Sequence, residues 1–193
     1  MAQNPKDGKL LYHLTALKNL ESIISQGLQP RKQIKNFFNV ADKEILKDRE
    51  KYDLSLYTPF HFFSKSPFSG VVQLTYPDEE FVYIAITRDL AKSNKFKVIP
   101  SHPLSYQSDP LEWEVGIKSI DWDLMAERNY NNARCKEVCM AEAIFYGTVP
   151  KECFNSIYVK SENTEKKVNQ LLNKYNYQKI HVNLQSGMFI NND

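Results

Sequence analysis

The chain has 193 residues, 42% of them hydrophobic and 25% charged, which fits one domain over residues 1–193 with a buried core. Its six glycines are scattered, and this excludes the two phosphate-binding loops that need clustered glycines, G-x-G-x-x-G and G-x-x-x-x-G-K-[ST]. A formal net charge of +2 is too small to indicate nucleic-acid binding by itself.

In chain order, the first predicted element is a strand over 9–15 (KLLYHLT), where a single histidine interrupts apolar residues. Apolar residues at helical spacing then predict a helix over 17–26, with Thr15 as its N-cap and Gly27 as its left-handed C-cap. Residues 31–51 hold seven basic and four acidic side chains and show no clean period apart from a short predicted helix over 41–51. A solvated surface is the simpler explanation of that charge.

The remainder of the chain predicts mainly short strands rich in aromatic and β-branched residues. They cover 57–63, 81–86, 96–99, 141–146, 156–159 and 179–183. Residues 101–107 are predicted as a loop, 120–139 as a helix that becomes irregular, and 163–175 as an amphipathic helix. Helices therefore lie near the two ends, and the pattern favours an α+β fold with a mainly antiparallel sheet.

The composition also predicts a cytoplasmic protein without membrane contact. No apolar run approaches the roughly 20 residues that cross a bilayer, and the N-terminus lacks the apolar core of a signal peptide. Three cysteines are an odd number, so a disulfide framework is not expected. Cys135 and Cys139 are four residues apart with no histidine near them, so we expect no metal site.

Two polar residues stand out within apolar strands. His13 lies in the first strand, and Glu142 opens the strand AEAIFY. Burying either group is costly unless it has a hydrogen-bond partner or a chemical task. Considered alone, His13 is more simply a core histidine with a partner. Together, the two residues point to a shared cleft.

Three blocks carry a family resemblance: YHLTALKNLESIISQGLQPR at 12–31, YTPFHFFSKSPF at 57–68 and AEAIFYGTVPKECFNSIYV at 141–159. In order and spacing they resemble the signature blocks of the DarT family, NAD-dependent ADP-ribosyltransferase toxins that modify bases in single-stranded DNA. The second block departs from the family's usual Pro-Arg-Ser-Pro-Met, because this chain has SKSPF at 64–68. A positive charge is kept, but the arginine fork is lost.

The resemblance implies an ADP-ribosyltransferase fold, in which two small, mainly antiparallel sheets with flanking helices form an NAD cleft. It makes Glu142 the catalytic carboxylate and His13 a contact of an NAD ribose. Arg49 is the best match for an arginine that assists catalysis, and Arg31 or Lys47 takes its place if the register shifts. Besides His13, the cofactor-binding residues that the resemblance implies are Thr15, Gly27, Arg31, Phe60, Phe62 and Ser66. Phe60, Phe62 or Phe63 would form the wall for nicotinamide, and at least one of these rings would pack in the core.

The resemblance also implies where DNA binds. The 120–139 segment precedes the Glu142 strand, the position of the substrate-reading loop in ADP-ribosyltransferases. Tyr130, flanked by asparagines, is predicted to stack on an unpaired base, and a mobile solvated loop is the alternative. Predicted phosphate contacts are Lys47, Lys51, Lys65, Arg128 and Arg134.

The implied function is transfer of ADP-ribose from NAD to a base of single-stranded DNA, with thymine favoured over guanine. The implied partner is an antitoxin with a macrodomain that removes the modification. Two alternatives stay open: transfer to protein or RNA, and a non-catalytic binding module with the same fold.

Overall fold

The computed structural model describes residues 4–34, 54–106 and 108–190. Within them, the strands are β1 (Leu10–Ala16), β2 (Tyr57–His61), β3 (Phe81–Thr87), β4 (Lys97–Ile99), β5 (Leu111–Glu112), β6 (Glu142–Tyr146), β7 (Ser156–Val159) and β8 (His181–Leu184). The α-helices are α1 (Leu20–Gln26), α2 (Pro67–Thr75), α3 (Arg88–Ser93), α4 (Trp113–Ser119), α5 (Trp122–Glu127), α6 (Ala133–Val138) and α7 (Glu162–Lys174). None of these helices is long and apolar enough to cross a membrane.

The eight strands form one sheet in the order β5-β4-β6-β2-β1-β3-β7-β8. All neighbours are antiparallel except β7 and β8. The predicted α+β class and the mainly antiparallel pairing are confirmed. The two predicted sheets are not separate, however, because β1 and β2 are paired at one position and join the two four-stranded halves.

Each face of the sheet has its own apolar core. The larger core contains Leu11, Phe60 and Ile84 from the strands and Leu20 and Ile24 from α1. On the other face, α2 contributes Val72, which packs in a smaller cluster with Leu14, Tyr83 and Phe189. Since side chains alternate between the faces of a strand, β1 supplies residues to both cores.

Most predicted strands are confirmed within two residues of their ends, but the helices are less well predicted. The predicted strand over 57–63 ends at His61, because Phe62 and Phe63 lie in a bend. Helices α2, α3, α4 and α6 were missed, and the prediction that helices lie only near the two ends is wrong. Each has six to nine residues, which is too short for a periodic pattern. The predicted helix over 41–51 lies outside the described residues.

The start of α1 also differs from the prediction. Thr15 lies inside β1, which continues to Ala16, and a 3-10 turn over Leu17–Asn19 precedes the helix. Thr15 is therefore not an N-cap. Gly27 does end α1, but the predicted left-handed cap is wrong, because its φ of 85° and ψ of 169° lie outside the left-handed helical region in a conformation that favours glycine. Its neighbour Leu28 can thereby form a bridge with Val149.

Arg88 links the start of β1 to the residue that follows β2 at the β1–β2 junction. Its guanidinium donates to the carbonyls of Pro5, Lys6, Leu10 and Phe62 at 2.6 to 3.4 Å. The same group lies over the rings of Phe62 and Trp122. Burial lowers its pKa to about 10, so it stays charged at neutral pH.

We expect Arg88→Lys to lower the free energy of unfolding by about 2–4 kcal/mol, because an ammonium cannot span four carbonyls and several buried acceptors lose their donors. Urea unfolding followed by circular dichroism measures the difference. Arg134→Ala is the control: Arg134 is exposed, so its substitution is expected to change stability by no more than about 0.5 kcal/mol. Equal stability of Arg88→Lys and the wild type would contradict this role.

Candidate active site

The β1–β2 junction, called here the seam, has one register pair, Tyr12 with His61. Pro59, two residues before His61, explains why the pairing stops. In a strand, the N–H and C=O of one residue point to the same side, and the Pro59 carbonyl points to His13 of β1. The missing N–H of Pro59 therefore also faces β1, so the antiparallel ladder cannot continue there.

The seam leaves a main-chain edge of β1 open toward β2. At the two ends of the β1–β3 ladder, Arg88 N–H donates to the Lys9 carbonyl (2.9 Å) and Leu17 N–H donates to the Glu80 carbonyl (2.7 Å). Odd-numbered residues of β1 thus direct their main-chain groups to β3, and even-numbered residues direct theirs to the seam. Counted from Tyr12, Leu14 lies opposite Pro59 and faces a residue that has no N–H to give.

His13 bridges the seam with its side chain. Its Nδ1 lies 2.8 Å from the Pro59 carbonyl oxygen. Because that oxygen only accepts hydrogen bonds, Nδ1 carries a proton and donates it to Pro59. The ring is half-buried and lies 5.7 Å from the ring of Phe60, centroid to centroid. The interpretation of His13 as a core histidine with a partner is therefore correct as far as Nδ1 is concerned.

Glu142 is 5% exposed and is the first residue of β6. It pairs with His61 of β2 on one side and with Ile99 of β4 on the other. Directly paired residues point to the same face, so Tyr12, His61 and Glu142 form one row across the sheet. The imidazole of His61 is also buried and lies 5.5 Å from the ring of Phe68, centroid to centroid.

The shared cleft predicted for His13 and Glu142 needs a correction. His13 is one residue along β1 from Tyr12, so its side chain points to the face opposite that of Glu142. It also lies in the middle of its strand and not at an end. One ligand can contact both groups only through the seam, where the β1–β2 ladder is interrupted.

Three further cofactor candidates have structural partners. The Thr15 hydroxyl accepts from the Asn19 side-chain amide at 3.3 Å. The Ser66 hydroxyl accepts from Ser69 N–H and caps α2. A Cβ at Gly27 would lie 2.8 Å from a methyl carbon of Thr148, so this position requires glycine for packing as well as for its φ.

The aromatic candidates pack in the core. Phe60 is fully buried against Phe96, and Phe62 is buried against Trp122. Phe63 is buried beneath the guanidinium of Arg128, at 4.8 Å from the ring centroid. Their core contacts are clear, and the nicotinamide wall stays a prediction.

Two loops meet at the end of the sheet where β2 ends opposite Glu142. One contains Lys65 and follows β2, and the other contains Arg128 and Tyr130 and precedes α6 and β6. They are joined by a hydrogen bond of 2.9 Å from the Tyr130 hydroxyl to the Lys65 carbonyl. Arg134 is exposed, and its guanidinium lies 4.0 Å from the carboxylate of Asp121.

Several predicted residues are apart from this cluster or cannot be placed. Arg31 is exposed after α1, and its guanidinium donates to the Ile34 carbonyl. Arg49, Lys47 and Lys51 lie outside the described residues. Sequence reasoning missed His61 as a neighbour of Glu142, although a second histidine in an aromatic strand was a usable signal.

The cysteines are structural in the described part of the chain. Cys135 and Cys139 are buried and direct their thiols to the carbonyls of Leu124 and Met125. Burial and the neighbouring Cys135 raise the pKa of Cys139 to about 12, which disfavours a reactive thiolate. The described residues contain no group of three or more His, Cys, Asp or Glu side chains that could hold a metal ion.

Comparison with known proteins agrees with this geometry. Residues 12–190 match the family described as ssDNA thymidine ADP-ribosyltransferase, DarT. No curated protein matches the chain.

Solved structures show the same fold. Thermus sp. 2.9 DarT in complex with ADP-ribosylated ssDNA is similar with a TM-score of 0.84 at 16% identity, over 98% of this chain and 100% of that one. The complex of the same protein with NAD+ gives a TM-score of 0.78 at 15% identity, over 95% and 98% of the chains. Thermosipho africanus DarTG in complex with ADP-ribose gives 0.73 at 18% identity, over 94% of this chain and 51% of that one.

Cysteine alkylation at pH 8 checks the account of the thiols. We expect the partly exposed Cys153 to be modified first, and Cys135 and Cys139 only when urea unfolds the protein, because both thiols are buried and burial raises the pKa of Cys139. Mass spectrometry of peptides measures the order. Fast alkylation of Cys139 in the native protein would show a reactive thiol.

Proposed function

Because the chain belongs to the DarT family of ADP-ribosyltransferases, we propose that it transfers ADP-ribose from NAD to thymine in single-stranded DNA. The observation that carries the proposal is the buried carboxylate of Glu142 at the start of β6, in the row of side chains that crosses the seam. A carboxylate at the start of this strand, on the face that it shares with His61, is the kind of group that stabilises the positive charge developing in ADP-ribosyl transfer.

Glu142 would act on NAD, the donor of ADP-ribose. Transfer breaks the bond between nicotinamide and C1′ of the ribose, and the bonding electrons leave with nicotinamide. Positive charge develops on the ribose, and a carboxylate hydrogen-bonded to a ribose hydroxyl stabilises it more in the transition state than in the ground state. Burial strengthens this effect, because little water surrounds the carboxylate.

The seam would hold NAD. The carboxamide of nicotinamide has a C=O that accepts and an NH2 that donates, so it can form the same hydrogen bonds as the main chain of a neighbouring strand. Leu14 directs its N–H and C=O into the seam opposite Pro59. We therefore assign nicotinamide to the main chain of Leu14. His13 would contact the ribose, with its ring oriented by the bond to Pro59. Thr15, Gly27, Arg31, Phe60, Phe62 and Ser66 remain candidates for other contacts to NAD.

The acceptor would enter beside Glu142, between the two joined loops. A base nitrogen attacks C1′ and loses its proton, and we assign the proton acceptor to Glu142, assisted by Arg49. Arg31 and Lys47 are the alternatives to Arg49. The proposed phosphate contacts are Lys65, Arg128 and Arg134, together with Lys47 and Lys51.

We further propose that the protein acts as a toxin whose modification is removed by a macrodomain antitoxin. This follows the family resemblance, and uncontrolled modification of DNA bases would harm the host cell. Growth arrest on expression that depends on Glu142 and is relieved by such an antitoxin would support it.

Labelled NAD and short oligonucleotides test the acceptor. We expect label on single-stranded DNA that contains thymine, little label on the same oligonucleotide without thymine, and none on its duplex, because a paired base is not accessible. Label that appears only on protein or RNA would contradict the proposal.

Glu142→Gln removes the charge with little change in shape, and we expect transfer to fall by about 100-fold or more. The matched control is Glu137→Gln on α6, an exposed carboxylate five residues upstream, which should transfer as the wild type does. Both variants are compared at equal melting temperature. Retention of more than a tenth of the wild-type rate in Glu142→Gln would exclude a catalytic role.

His13 can be tested with variants that separate its two roles. The side-chain amide nitrogen of an asparagine can take the place of Nδ1, so we expect His13→Asn to keep its stability while the KM for NAD rises about tenfold, or about 1.4 kcal/mol. His13→Ala should also lose about 1 kcal/mol of unfolding free energy. An unchanged KM in His13→Asn would mean that the ring serves the fold alone.

A further inference from the structure

Lys65 has an unusual backbone for its residue type. Its φ is 57°, in the left-handed region that side chains with a Cβ disfavour. Arg128 on the neighbouring loop has φ 50°. In the described part of the chain, these two are among four non-glycine residues with positive φ. Both are basic, and Lys65 lies on the loop after β2, whose last residue, His61, pairs with Glu142. Strained backbone is retained where the surroundings hold it and often where it serves a function.

Two tyrosines hold the main chain of Lys65. The Lys65 N–H donates to the hydroxyl of Tyr83 at 3.2 Å, and the Tyr130 hydroxyl donates to the Lys65 carbonyl at 2.9 Å. Tyr83 is buried on β3, whereas Tyr130 comes from the loop that leads to Glu142. Burial raises the pKa of Tyr130 to about 12, so its hydroxyl keeps the proton that it donates.

With its main chain held by these two tyrosines, Lys65 keeps its charge on the surface. The side chain is exposed, and no carboxylate among the described residues forms an ion pair with it or with Arg128. By contrast, Lys92, Lys167 and Lys174 are each paired with a glutamate. Two uncompensated cations on adjoining loops provide a surface for phosphate groups.

We propose that Tyr130 is a positioning residue for Lys65: its hydroxyl fixes the Lys65 carbonyl, so that the ammonium group contacts a backbone phosphate of the acceptor DNA strand. The proposal rests on the proposed function and gives Tyr130 a task other than stacking on a base. The pyrophosphate of NAD offers the same chemistry. We favour DNA because Lys65 is exposed on the loop that follows β2, whose last residue, His61, pairs with Glu142, and because Tyr130 joins this loop to a second surface loop.

Binding of a fluorescent thymine-containing oligonucleotide, measured over a salt series without NAD, tests the proposal. Lys65→Gly removes the ammonium, and glycine accepts φ 57° without strain. This variant should bind the oligonucleotide more weakly, and the slope of log K against log salt should fall by about 0.7, the value for one phosphate of a single strand. Lys65→Arg should keep the wild-type affinity and the wild-type salt slope. Tyr130→Phe keeps an aromatic ring for stacking and loses the hydroxyl, so we expect about threefold or greater weakening with a smaller salt slope.

The double variant decides whether Tyr130 acts through Lys65. In the Lys65→Gly background, Tyr130→Phe should have no further effect, because the group that it positions is absent. The KM for NAD is measured in the same variants, because a change there in place of a change in DNA affinity would assign the Lys65 ammonium to the pyrophosphate of NAD. The matched control is Tyr146→Phe, an exposed tyrosine on β6, which should bind DNA as the wild type does.

Three results would overturn the inference: an unchanged affinity in Tyr130→Phe, effects that add in the double variant, or a change in the KM for NAD in place of DNA affinity. Failure of the proposed function is a different result. In that case the wild-type protein itself would neither bind nor label the oligonucleotide.

Discussion

The interrupted pairing of β1 with β2 is the constraint on which the rest of the structure depends. A sheet of this size is normally held by continuous ladders, and here Pro59 ends the central ladder after one pair. Side chains then replace the missing main-chain bonds. His13 joins the strands on one side of the Tyr12–His61 pair, and Arg88 joins Leu10 to Phe62 on the other. The molecule thereby keeps an open strand edge within its core without dividing into two parts.

The position of Glu142 follows from the same constraint. Because β6 starts where β2 ends, the buried carboxylate lies in the row of the single pair across the seam. The loop after β2 leaves the sheet at that end, and the bond from Tyr130 to Lys65 joins it to the loop that precedes α6. The donor site that we propose in the seam and the acceptor site that we propose between the loops would therefore adjoin one carboxylate. This arrangement brings together residues that are distant in the sequence, such as Lys65 and Glu142.

Much of the fold and part of the site were predictable from local patterns. The strand over 156–159 and the long helix α7 follow from short-range hydrophobic spacing, which does not need tertiary contacts. Helices such as α3, with six residues, were missed because they are stabilised by an N-cap bond from Thr87 and by packing, not by a repeating pattern. The role of His61 was missed for a different reason: only the register shows that it lies beside Glu142.

By itself, the sequence determined the α+β class and the family. It also singled out His13 and Glu142, because a polar residue within an apolar strand needs a partner or a chemical task. These features depend on residue type and spacing along the chain, which can be seen without coordinates. Only the tertiary structure decided that the two halves form one sheet, that His13 and Glu142 point to opposite faces, and that Tyr130 holds Lys65. The first two properties depend on strand register, where a shift of one residue would reverse the face of every side chain, and no local pattern determines the register between strands so distant in the sequence. The third depends on a contact between two loops that lie far apart in the sequence.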